Sequence, residues 1–235
     1  SSNSSQADIW EKMTPETSLL EQEIMSDIHA RRESMLSIKT LTLRYAFSER
    51  DNELLLQYSI VMLYAIWEGF IQTACQTYVR ELNKLELTID TVCNPILVYH
   101  IESKFKQFKQ YPTPENFKHK VSFFDKLNQF YKSNLVEIAP VVNTESNVGF
   151  KVLNRILKEF NLQTVPDYYP EPRTNYKLST ELKRLLDFRN DAAHGQNASI
   201  VKREDLDRAI KLVETLMDLV SERIKQGFID ETYLK

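Results

Sequence analysis

Glycine is scarce in this chain: four in 235 residues, alongside eight prolines. A many-stranded sheet needs a tight turn between successive strands, and so few turn formers argue for helices instead. Cysteine is scarcer still. Cys75 and Cys93 offer neither a disulfide framework nor a metal-ligand spacing, so a reducing compartment, the cytoplasm, is expected, with both thiols as small buried apolar groups. An excess of positive charge is missing too. The net charge of −3 argues against general polyanion binding, while a local basic face stays compatible with it. No apolar run reaches the roughly 18–20 residues of a membrane span. The most apolar window, Leu54 to Trp67, has twelve hydrophobic residues in fourteen and is bracketed by Asp51 and Glu68. It is predicted to be a central helix, apolar almost all round because other helices surround it. The opening SSNSSQ lacks the basic and apolar regions of a secretory signal, and a disordered leader is expected over 1–13.

Helical periodicity fills the rest, and one domain is predicted over 14–235. Thr14-Pro15-Glu16 has the form of an N-cap followed by proline at the first helical position, and apolar residues recur from Leu20 to Leu41, so a first helix is predicted to run as far as Phe47. After the charged corner SERDNE, a second long helix is predicted to about Leu85, antiparallel to the first because the connection is short. Prolines then divide shorter elements, with helices predicted near 96–110, 114–132 and 147–161. LVEIAPVV at 135–142 can compete as an extended segment, and 165–175 is predicted to be a loop. Two more helices close the chain, Ser179 to about Arg189 and one from Arg203 that Gly227 is expected to stop. The fold expected is an all-α antiparallel bundle with a long N-terminal hairpin and peripheral short helices.

Chemistry concentrates in LLDFRNDAAHGQNAS, residues 185–199. Arginine brings a permanent charge in a planar fork suited to phosphate oxygens, and histidine both takes and gives a proton near neutrality. Arg189 and His194 are five positions apart, roughly 140° around an unbroken helix. For them to converge, the chain must leave the helix within the motif, and Asn190, Asp191 and Gly195 are residue types that favour this. The alternative is structural: histidine and glycine also recur at helix ends because they complement the dipole and cap the last turn.

RNDAAHG resembles the Arg-x4-6-His signature of the HEPN superfamily of small helical domains, and LYAIWEGFIQTACQTYVRELN, residues 63–83, is similar to the Trp-Glu-Gly-Phe helix of its MAE-type branch. The resemblance covers most of the chain from about residue 15. It implies a metal-independent, cofactor-free endoribonuclease at a homodimer interface, a toxin or antiviral effector with RNA as substrate. It also implies His194 as the acid-base group and Arg189 as the phosphate clamp, with Asn190 matching the polar position beside the arginine. An antitoxin or sensor protein is a further partner it suggests, and a noncatalytic binding module is the alternative role. HEPN toxins controlled by modification carry a tyrosine two positions after the histidine; Gln196 stands there, so that control is not expected.

Other candidates are weaker. Glu68, at the edge of the apolar run, needs a partner and can either orient Arg189 or form a structural ion pair. Ser103 to Lys132 holds seven lysines against two acids, interleaved with aromatics, which makes Lys118 and Lys120 candidate RNA contacts. The simpler reading of that stretch is core-facing aromatic stripes with solvated lysines outside. HARRE at 29–33 is expected to be a charged helix face. His29, His100 and His119 share no metal-ligand spacing, and neither a Gly-rich phosphate loop nor HExxH occurs.

Overall fold

A computed structural model describes residues 15–105, 117–169, 176–194 and 200–235. The leader, the stretch with Pro112 and Pro114, part of the 165–175 loop, Gly195 and Gln196 lie outside the described residues, as do the side chains of Ala193 and His194. Seven helices occur among the described residues: α1 (Pro15–Arg44), α2 (Glu49–Lys84), α3 (Asn94–Lys104), α4 (Phe117–Ser133), α5 (Phe150–Glu159), α6 (Leu178–His194) and α7 (Arg203–Ile229).

The two long helices form the expected hairpin. Ser48 caps α2, its hydroxyl accepting the Asp51 backbone N–H at 3.2 Å, so the chain turns over three residues beyond Tyr45. Their cross-links run in opposite directions: Glu23 meets Arg80, while Arg31 meets the carbonyl of Ile66 and the hydroxyl of Thr73. α2 packs against α1, α6 and α7, and α1 packs against α7, which makes a four-helix bundle with α2 at its centre. Arg32 with Asp218 and Lys225 with Glu21 set α1 antiparallel to α7; Arg184 with Asp205 and Arg208 with Glu181 do the same for α6 and α7. α5 lies against α6 and α3 against α5, forming the peripheral layer. The core is continuous through Ile28, Met35, Ile60, Leu63, Trp67, Phe70, Leu182, Val213 and Leu216.

Several expectations need correction. The first helix stops at Arg44, short of Phe47. α2 is not covered all round, because Leu54, Tyr58 and Met62, four positions apart in turn, are each about half exposed. It is the one described helix long and apolar enough, by length and composition alone, to cross a membrane, yet Leu56, Ile60, Leu63, Tyr64 and Trp67 of the same stretch are buried in the bundle. Gly227 does not stop α7. It lies inside the helix, where a Cβ would collide with Leu162 Cδ2, so glycine there permits close approach of the loop after α5. Arg31 of HARRE is not a solvated charge: it crosses to α2, and Gly69 of the Trp-Glu-Gly-Phe stretch leaves room for its guanidinium, 3.0 Å from where a Cβ would sit.

The stretch 135–142 forms no strand: Leu135 makes an isolated antiparallel bridge with Thr88, and the rest is irregular. Val136 donates to the Leu87 carbonyl, and the Asn83 amide pairs with both backbone groups of Ile138. In the aromatic, lysine-rich region, Phe105, Phe123 and Phe130 are buried while Phe117, Phe124 and Tyr131 are exposed.

Candidate functional site

Arg189 is in the last two turns of α6 and is held on three sides. Its guanidinium lies over the ring of Tyr64 on α2, 4.5 Å from the ring centre, a cation-π contact. Nη1 donates to Asn190 Oδ1 at 2.9 Å, and Nη2 donates to the Ser146 carbonyl at 3.1 Å. A guanidinium has five N–H donors. Two are spent here, and among the described residues no carboxylate lies within ion-pairing distance of Arg189. Among the described residues no carboxylate neutralises the remaining donors, a condition suited to an anionic ligand.

The wall opposite α6 is the loop from Asn143 to Gly149, a feature with no helical or strand periodicity to announce it. Val148 is fully buried, and both of its backbone groups are taken by α2: its N–H donates to the Tyr64 hydroxyl at 3.0 Å, and its carbonyl accepts the Trp67 indole N–H at 2.9 Å. The Trp-Glu-Gly-Phe helix therefore supports the loop directly. Glu145 and Ser146 follow one another in the left-handed region, with φ of 55° and 53°, a costly conformation for non-glycine residues. That turn belongs to the residue whose carbonyl meets Arg189. Arg155 on α5 braces the same loop through the Asn143 carbonyl at 2.7 Å and the Glu145 carboxylate at 3.2 Å.

Glu68 does not pair with Arg189. Its carboxylate accepts the Thr144 hydroxyl at 2.8 Å, and no Glu68 ion pair occurs among the described residues, so it acts on the loop that holds Arg189. Burial pushes the Tyr64 phenol above its ordinary value and the Glu68 charge adds to the rise, against the lowering effects of the Val148 N–H and Arg189. Tyr64 thus remains a neutral hydroxyl at physiological pH.

His194 is the final residue of α6. The expected break at Asn190 and Asp191 is absent: the helix runs unbroken through both, so the two motif positions stay roughly 140° apart around the axis. Lys118 and Lys120 lie on a different element, in the first turn of α4. Asn190, the polar position beside the arginine in the sequence pattern, accepts a hydrogen bond from one edge of the arginine fork.

Tyr64, Thr144, Ser146 and Val148 escaped the sequence reading. Tyr64 and Glu68 are four positions apart on one helix face, the available signal for two of the groups that reach the loop. Among the described residues no three His, Cys, Asp or Glu side chains gather as a metal-ligand set.

Compared with family models, residues 20–233 match the one described as MAE_28990-like HEPN. No curated protein and no solved structure matches the chain.

Proposed function

We propose that this chain, which belongs to the MAE_28990-like HEPN family, is a metal-independent endoribonuclease whose active form is a homodimer. The observation that supports it most is the Arg189 guanidinium, stacked on Tyr64, tethered to Asn190 and Ser146, and paired with no carboxylate among the described residues. Such a group is preorganised for charge on a phosphoryl centre, and stabilisation of this kind is commonly the largest single contribution to catalysis.

RNA supplies its own nucleophile. The 2'-oxygen attacks the adjacent phosphorus as a base removes its proton; the P–O2' bond forms, the P–O5' bond breaks, and an acid delivers a proton to the departing 5'-oxygen. The products are a 2',3'-cyclic phosphate and a 5'-hydroxyl. Base and acid are best served by two groups, and each motif has one histidine. A twofold pairing supplies His194 and Arg189 from both chains. The unbroken α6 strengthens the need for a second copy, since no bend within one chain turns the two motif positions to the same side. The exposed stripe Leu54, Tyr58 and Met62 is assigned to the contact, because it is an uncovered apolar face on the same helix that carries Tyr64 and Glu68.

A nuclease of this kind acts in the cytoplasm as a toxin or antiviral effector, restrained or triggered by an antitoxin or sensor protein. The reading is tested with a single-stranded RNA and the same strand carrying 2'-deoxyribose throughout. Cleavage of the RNA alone is expected. Cleavage of both strands contradicts attack by the 2'-hydroxyl, and cleavage of neither by a folded dimer contradicts the nuclease reading and leaves a noncatalytic binding role.

A further inference from the structure

Two open cavities meet beside the Arg189 loop. One, about 480 Å³, lies between the starts of α5 and α6 and is lined by Asn147, Phe150, Lys151, Lys183 and Leu186 among others. The second, about 820 Å³, lies between α3 and α5 and is lined by Phe150, Lys151, Val98, Arg155 and Lys158. Phe150 and Lys151 line both, so the two spaces share a wall and make a run of open surface along α5. Its near end adjoins the site: Asn147 follows Ser146, whose carbonyl binds Arg189, and Leu186 is one turn before Arg189 on α6. Gly149 keeps loop and helix close, since a Cβ there would lie 3.3 Å from Leu186 Cδ1.

The cations along the path are not equivalent. Arg155 is committed to Glu145 and Glu159, and Lys183 to Asp187. Lys151 and Lys158 are exposed and make no ion pair among the described residues. Seven positions separate them on one face of α5, about 10 Å along the axis. Free lysines spaced along a groove whose wall is an aromatic ring are the recurring means of holding single-stranded nucleic acid: charge follows the backbone, and the ring offers any base a stacking surface.

We propose that these neighbouring cavities are a track for single-stranded RNA leading away from the Arg189 site, with Lys151 and Lys158 on backbone phosphates and Phe150 stacking a base. The assignment rests on the ribonuclease reading and adds the form of the substrate: an unpaired strand extending at least two nucleotides beyond the cleaved bond.

Binding is measured separately from cleavage, by fluorescence anisotropy with a labelled, fully 2'-O-methylated single-stranded RNA that has no nucleophile. Lys151→Glu/Lys158→Glu is expected to weaken binding about tenfold or more and to reduce the salt slope by about 1.4, the loss of two single-strand phosphate contacts. Phe150→Leu, which keeps an apolar side chain in the core, is expected to weaken binding several-fold with the salt slope intact. Unchanged affinity and slope in the double variant, with RNA cleavage by the wild type preserved, overturn the track and leave the nuclease standing. An equal loss from Lys158→Glu and from Lys211→Glu, an exposed lysine on α7, also overturns it, because net charge would then account for both. If the wild type neither binds nor cleaves RNA, both readings fall together.

Discussion

Arg189 and Tyr64 divide their work in a way that single substitutions can separate. Arg189→Lys keeps the charge but loses the fork and its two tethers, so turnover should fall by about 10²–10³ with the folding transition nearly unchanged. Kinetics and thermal melting on the same sample check this, and a loss confined to KM would point to simple binding instead. Tyr64→Phe keeps the ring under the guanidinium and removes only the hydroxyl that accepts the buried Val148 N–H. An orphaned buried donor costs about 1–3 kcal/mol, so this variant should unfold at lower denaturant while losing less activity than Arg189→Lys. At this scale the sequence showed which residue types could act on a phosphate. It did not show Ser146 or Val148, which contribute backbone groups, and a backbone carbonyl leaves no trace in side-chain identity. Glu68 was visible as an acid needing a partner, but the partner is Thr144, a neutral hydroxyl 76 positions away.

Helices were the most legible elements, because a 3.6-residue apolar period states both that a helix forms and which face it buries. The long hairpin and the closing pair follow from that periodicity and from short connections. Gly227 shows where residue type misleads. Glycine commonly ends a helix, yet here the helix continues to Ile229 and the glycine serves contact with Leu162. Gly227→Ala should therefore cost about 1–3 kcal/mol through overpacking, and Leu162→Ala should offset part of it, so the double variant is less destabilised than the sum of the singles. Additive losses in urea unfolding would show that the two residues do not press on each other. The end of α6 departs from expectation for a related reason. Asn190 and Asp191 disfavour a helix interior in isolation, but Asn190 is occupied with Arg189 and the helix carries on. On α3, His100 is fully buried against Phe130, with Lys104 one turn on and Glu137 nearby. Burial pushes its imidazole below the ordinary value, and the Lys104 charge adds to this against the opposing effect of Glu137. The folded state then binds less proton than the unfolded one, so this contribution is present above the unfolded value of about 6.5 and fades as pH drops below it. Melting temperature followed from pH 8 to 5 should fall more steeply for the wild type than for His100→Leu; equal slopes would contradict the assignment.

For the whole molecule, the proposed cleavage requires two chains. Met62→Glu places a charge in the exposed stripe of α2, where no buried neighbour is lost, and sedimentation should show a folded monomer without nuclease activity. A Met62→Glu dimer with full activity would move the interface elsewhere. The most direct measurement concerns the chemistry itself. Purified protein is incubated with single-stranded RNA in excess EDTA, beside Arg189→Ala and His194→Ala, and the product ends are identified by mass spectrometry. Cleavage by the wild type alone, leaving a 2',3'-cyclic phosphate and a 5'-hydroxyl, is the predicted result. Cleavage that EDTA abolishes, that either variant retains in full, or that leaves a 5'-phosphate would contradict it.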